Sequence, residues 1–600
     1  MAEKVKQRSE NDPKYQWNIE AMYSSDADWE KDLKDALSGA EDFTKYRDHL
    51  ADSAKTLADA LIDSDAVSLK MERVFVYARM KLDEDNRVSK QQDMLNRAVS
   101  AASKISAMMS FLTPELIQIP EETLQEFMKT DARLEQYDYV LRQAVREKAH
   151  VLSKAEENIL AQLGEVLGAP DQIFTMLNDA DLKFGTIRDE QGEETELTHG
   201  NYIKFMRSKK KEVREAAYRH CYDTYRSMIN TIAANYAANV KTDVITARMR
   251  HYPSSRAAAL SGGNIPEAVY DNLIATVNET LPVLHRYIAL RKDLMGLDEL
   301  KMSDVYVPLA EIEDPKVSFE EGVALCEKAL APLGGDYLRH FREGIYARWI
   351  DVYENEGKTS GAYSFGSYDS MPYVLMNYDG TLQDVFTIIH EMGHSMNSWY
   401  TRKAQPFTYG SHSIFTAEVA STVNETLLMR FLLEQEKDPG MRRYILNMYI
   451  EAFRSTLFRQ TMFAEFELLS HRQVEDSGSL TAEWLSDQYD RLNTKYFGPA
   501  LTGDDRIRYE WARIPHFYRS FYVYQYATGY SAANAIADKI LTEGPAARDA
   551  YLTFLASGDS DDPVELLKIA GVDMTEREPV ERAMKTFTEL VEEFRRLSGK

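Results

Sequence analysis

Six hundred residues exceed what one simple core holds and point to two or more subdomains, and a hydrophobic fraction of 44% is that of an ordinary globular chain. A formal net charge of −25 disfavours nucleic acid and anionic membranes as partners, because an acidic surface repels phosphate. Cys221 and Cys326 are far apart and form no CxxC pair, which argues against a disulfide framework and for a reducing compartment. No apolar run reaches the roughly 18 residues of a membrane span, and MAEKVKQRSENDPKYQW lacks the apolar centre of a secretory signal. The expected location is the cytoplasm.

Few glycines and prolines and long apolar-periodic runs make a mainly α fold the natural expectation. Met1–Lys14 is polar and expected to be loose. From Trp17 to about Ala180 the pattern predicts successive helices, among them one opened by Asp26, then Thr56–Asp85 and Ser89–Leu112. Ser153 and Glu156 have the spacing of a capping box. Leu182–Thr198 breaks the helical period and predicts a hairpin with Gly192 at its turn. A boundary placed there gives an N-terminal helical subdomain, residues 1–185, and a second domain, residues 186–600, which holds the His390–His394 motif. Helices resume from Asn201 to Arg250 and over Pro266–Met295. Ser303–Leu309, Ile350–Tyr353 and Pro372–Tyr378 are short β-branched or aromatic runs that predict a small sheet.

Thr381–Tyr400 follows directly and contains His390-Glu391-Met392-Gly393-His394. On a helix, residues four apart share a face, so His390 and His394 can chelate one Zn²⁺, with Glu391 beside them to take a proton from water. Val385, Phe386, Ile388, Ile389, Met392 and Met396 make the segment apolar, and polar groups buried there need partners. A catalytic zinc needs a third protein ligand. Ser413–Gln435 reads as a second, antiparallel helix carrying Glu418 and Glu425, seven apart and nearly on one face. Either glutamate could serve. His412, in the intervening turn, is a rival.

HEMGHSMNSWY followed by IFTAEVASTVNETLL resembles the thimet/oligopeptidase F family of zinc metallopeptidases, and within it the oligoendopeptidase F branch. GAYSFGSY at Gly361–Tyr368 and PHFYRSFYVYQYATGY at Pro515–Tyr530 extend the match. The resemblance implies a multi-helical two-subdomain peptidase around a substrate channel, with the small sheet next to the HExxH helix. It implies one Zn²⁺ per chain on His390, His394 and Glu418, Glu391 as general base, and Glu425 orienting a ligand. His516, Tyr522 and Tyr530 would approach the substrate, with Tyr524 a rival for Tyr522; Tyr518, Tyr524 and Tyr526 read better as core. Gly361–Tyr368 is either a plain turn or a mobile loop touching peptide. The loop residues Gly361 and Ala362, and Tyr373 and Val374 on the strand before the motif, are the expected peptide contacts. Asn397 departs from the histidine common among relatives, at a position that is not a zinc ligand. The implied activity is endopeptidase cleavage of oligopeptides; a carboxypeptidase on the same scaffold and a non-catalytic peptide binder are the alternatives. Cleavage preference and oligomeric state stay open.

Overall fold

The computed structural model describes residues 5–310 and 315–600. The chain forms two compact units, each assembled from three segments. One comprises Met1–Ala149, Asp314–Phe431 and Ile536–Val572, the other His150–Glu313, Leu432–Ala535 and Asp573–Lys600. Among the described residues no helix is long and apolar enough to cross a membrane.

The second unit begins with the helix Lys154–Leu167, whose Ser153 and Glu156 close the predicted capping box. The predicted hairpin follows as β1 (Thr186–Arg188) and β2 (Glu194–Glu196), antiparallel with Ile187 opposite Thr195, and Gly192 takes a φ of +85° in the turn. Helices then dominate. Glu267–Leu294 buries Val269, Leu273, Val277, Leu284 and Ile288, an apolar stripe at the helical period. Fully covering one such side chain contributes about 1.5–3 kcal/mol. Ile229–Met249 and Glu578–Leu597 bury apolar faces in the same way, whereas Arg459–Glu475 is buried on most sides and takes Glu467, Ser470 and His471 inside with its apolar residues.

Ser303–Leu309 is not a strand. Met302–Asp304 is a 3-10 turn, and the reason is Asp304. Its carboxylate accepts the Lys301 backbone N–H and pairs with the buried Arg214 guanidinium at 2.7 Å. Side chain-to-backbone bonding of this kind competes with a strand ladder.

In the first unit, Asp26–Phe43, Ala54–Glu84 and Ser89–Met109 pack together, and the Trp29 indole N–H donates to the Val74 carbonyl at 2.9 Å. Residues 1–4 of the expected loose start lie outside the described residues. From Arg8 the chain is tied down: its guanidinium meets Asp351 at 2.6 Å and Glu84 at 3.1 Å. The sheet has the order β3-β5-β4, with β3 Ile350–Asp351, β4 Tyr363–Phe365 and β5 Tyr373–Leu375. β5 runs parallel to β3 and antiparallel to β4. The third strand is thus Tyr-Ser-Phe of the GAYSFGSY stretch. Lys358 ties the layers: its buried ammonium donates to the Asp351, Tyr353 and Met376 carbonyls and pairs with the Asp351 carboxylate at 2.7 Å.

Candidate metal centre

The motif helix, Leu382–Ala404, starts at a capping box: Thr381 accepts the Asp384 N–H, and Asp384 accepts the Thr381 N–H at 2.9 Å. Its apolar residues are buried as expected, and the Ser395 hydroxyl meets that of Ser364 on β4 at 2.8 Å, which fixes the sheet beside the motif. The following helix, Ile414–Gln435, crosses it at Gly393. A Cβ on Gly393 would stand 2.7 Å from Ser421 Cα and 3.0 Å from the Ala420 carbonyl oxygen, so only glycine permits this approach. Asn424 locks the crossing from the buried side. Its amide donates to the Ile389 carbonyl at 3.1 Å and exchanges hydrogen bonds with the Tyr337 hydroxyl.

The close crossing brings three donors together. His390 Nε2 and His394 Nε2 are 3.2 Å apart, and Glu418 Oε2 lies 3.6 and 3.5 Å from them. Zinc binds imidazole at about 2.0–2.1 Å, so two tetrahedral ligands stand about 3.3–3.4 Å apart. The donor triangle therefore has the size zinc requires. Glu425 Oε1 is 3.0 Å from His390 Nδ1. A carboxylate only accepts, so Nδ1 carries the proton and Nε2 faces the triangle. The side chains keep between 23% and 42% of their surface, so the donor triangle is reachable from solvent.

The electrostatics suit a cation. Burial opposes charge on His390, but the hydrogen bond and charge of Glu425, with Glu391 and Glu418, raise it to about 9. Glu418 is lowered to about 2 by its hydrogen bond to His394, against burial, and by both imidazoles and Ser421. A metal takes the place of those protons on binding. Glu391 is only 8% exposed, and burial raises its pKa despite the two histidines. His412 is spent elsewhere: its Nε2 is 2.9 Å from the Thr401 hydroxyl, and burial, Arg402 and His394 lower it to about 3. Among the described residues, His390, His394 and Glu418 are the one group of three such donors close enough to share an ion.

Gly361 is exposed with a φ of +85°, and Ala362 follows it half-buried into β4. Tyr373 and Val374 are corrected as peptide contacts. They lie on the central strand, 1% and 0% exposed, with the Val374 N–H donated to Trp349 and Ser364 paired on the other side. Among the described residues no backbone group takes the outer edge of β4, so the available edge is Tyr363–Phe365.

In the other unit, His516 and Tyr522 are half-buried with ring centroids 5.9 Å apart at 24°. Tyr524 is 2% exposed and packs on Tyr270 at 5.0 Å, so Tyr522 rather than Tyr524 is accessible. Tyr518 is core, as expected. Tyr526 is not: it is half-buried, with its hydroxyl 3.5 Å from His516 Nε2. Its four-residue spacing from Tyr522 was the available signal. Burial, then Arg519 and Arg459, lower the His516 pKa. Tyr530 is buried, its ring edge-on to Phe453 at 5.0 Å.

A helix-borne HExxH pair completed by a glutamate from the next helix is the site of a metallopeptidase. Residues 204–586 match peptidase family M3, and residues 115–184 match Oligopeptidase F. The chain is 46% identical to Oligopeptidase PepF of Bacillus subtilis over 596 residues, covering 99% of this chain and 89% of that protein. It is 42% identical to Group B oligopeptidase PepB of Streptococcus agalactiae over 593 residues, 99% of this chain and 98% of that one. The crystal structure of oligoendopeptidase-F from Enterococcus faecium superposes with a TM-score of 0.74 at 38% identity, covering 95% of this chain and 98% of that one. The chain belongs to peptidase family M3.

Gly393→Ala should weaken metal binding and lower the melting temperature together. The added methyl meets backbone, not a flexible side chain, and overpacking of this kind costs about 1–3 kcal/mol. Zinc titration and thermal unfolding check it; unchanged values in both would show that the two helices can part without consequence.

Proposed function

We propose that this protein is a zinc-dependent endopeptidase that hydrolyses internal bonds of oligopeptides. The observation that carries the reading is the convergence of His390 Nε2, His394 Nε2 and Glu418 Oε2, with the buried Glu391 next to His390. Those three residues would hold the zinc, which when bound supplies Lewis acidity to the scissile carbonyl and acidifies water. Glu391 accepts the proton of the attacking water. Burial raises its pKa, which makes it a stronger base, and it then passes the proton to the leaving amine nitrogen as the amide C–N bond breaks. Glu425 keeps the His390 ring oriented through Nδ1. An extended peptide along the outer edge of β4 would be held by its backbone, which recognises peptides without reading their sequence. Gly361 and Ala362 would contact it at the end of that strand. The names of the relatives support oligopeptides as substrates, and two buried free thiols suit a reducing cytoplasm.

Glu391 in place supports catalysis over passive peptide binding. An internally quenched peptide blocked at both termini separates the endopeptidase from a carboxypeptidase. Chelator-sensitive cleavage is expected; cleavage only of peptides with a free C-terminus would overturn the endopeptidase reading.

By resemblance, Tyr530 and His516 would donate to the oxyanion that develops on the scissile carbonyl, with Tyr522 beside His516. Tyr530→Phe should then lower kcat about 10²–10³-fold with KM nearly unchanged, because the oxyanion exists only near the transition state. Steady-state kinetics at full zinc occupancy measures this. Wild-type kcat would make Tyr530 a core residue packed on Phe453.

A further inference from the structure

The chain turns sharply just before Tyr522. Phe521 has a φ of +56°, in the left-handed region that L side chains avoid. Its ring is buried against Tyr270 at 5.9 Å and His471 at 4.6 Å. Its N–H donates to Glu467 Oε1 at 2.6 Å, and Glu467 is fully buried on Arg459–Glu475. One residue earlier, the Ser520 hydroxyl donates to Asp243 on Ile229–Met249, and His471 Nε2 lies 3.3 Å from the same Asp243 oxygen. Carboxyl groups from two helices thus grip two consecutive residues. Directly beyond them the Tyr522 ring joins those of His516 and Tyr526 in one cluster, with centroids 5.9 and 5.5 Å from it and His516 and Tyr526 5.9 Å apart.

We propose that Glu467, seconded by Asp243, is a positioning residue: by holding the left-handed turn at Phe521 it sets the Tyr522 ring against His516. The inference rests on the proposed role of His516 and Tyr522 at bound peptide. Packing alone does not call for a carboxyl here, since leucine fills a similar volume. Burial raises the Glu467 pKa well above the usual carboxylate range, with the Phe521 N–H opposing and Asp243 reinforcing, and Glu467 Oε2 meets no donor among the described residues. A neutral acid in the core is costly. What leucine lacks is the acceptor that the strained Phe521 N–H requires.

The test compares Glu467→Leu, which removes the acceptor, with Glu467→Gln, which is neutral and keeps one. Ser520→Ala releases the second grip at a half-buried position. Glu467→Leu should lose about 10²-fold in kcat at unchanged KM and zinc content, the scale of a small misplacement. Glu467→Gln should return kcat near wild type, and Ser520→Ala should show a smaller loss of the same kind. Equal loss in the Leu and Gln variants, or wild-type kcat in the Leu variant, overturns the proposal. If the Leu variant does not fold, Ser520→Ala decides: lowered kcat at constant KM supports it, and unchanged kcat overturns it. His516→Ala and Tyr522→Phe run alongside. If both keep kcat, the reading of those two residues fails and takes the proposal with it. If they lose kcat while Glu467→Leu and Ser520→Ala do not, only the positioning role fails.

Discussion

Glu391→Gln should leave the fold and the zinc content intact and remove peptidase activity. The amide keeps the size of the side chain in its buried place but cannot accept the proton of water. General-base catalysis contributes about 10²–10⁴-fold, and loss of at least that much in kcat is expected. Glu391 is not among the three converging donors, so metal analysis should find wild-type zinc. Turnover near wild type with full zinc would assign the base elsewhere.

Glu418→Ala should lose zinc and activity together. It removes one of three protein ligands and leaves the two imidazoles 3.2 Å apart with no anion on that side. Glu425→Gln should be milder. It weakens the hold on His390 Nδ1 without touching the donor triangle, and such outer partners are worth about 10–100-fold in metal affinity or activity. Zinc stoichiometry after dialysis against a graded chelator series orders the two. If the Glu425 variant loses zinc and the Glu418 variant keeps it, the ligand assignment is reversed.

The centre was legible because its geometry is local. His390 and His394 share a helix face by periodicity alone, and the apolar pattern of Ser413–Gln435 predicted the helix that brings Glu418. The choice of Glu418 over Glu425 came from the resemblance, and distances now separate the oxygen facing both Nε2 atoms from the one on Nδ1. What sets the helix spacing was not legible. Gly393 and Asn424 act through partners 28 to 87 residues away, Ser421, Ile389 and Tyr337, and no local pattern announces such contacts. The sheet was misread for a related reason. Three-residue strands carry too little periodicity to give strand order, so central Tyr373 and Val374 read as peptide contacts, and the stretch that holds β4 reads as a plain turn or a mobile loop. Ser303–Leu309 has strand-like composition, but Asp304 prefers its local turn and Arg214.

The Lys358 cage has a consequence for chemical labelling. An ammonium with no exposed surface, spent on three carbonyls and a carboxylate, cannot reach an acylating reagent while the sheet is intact. Its burial also lowers its pKa, so that once released it regains an ordinary lysine's basicity and reactivity. Acylation of Lys358, followed by peptide mass mapping, therefore counts the excursions in which β3, β5 and the stretch leading to Gly361 come apart. If peptide pairs with β4 as proposed, its addition should slow that count, and the slowing measures how much it stiffens the sheet.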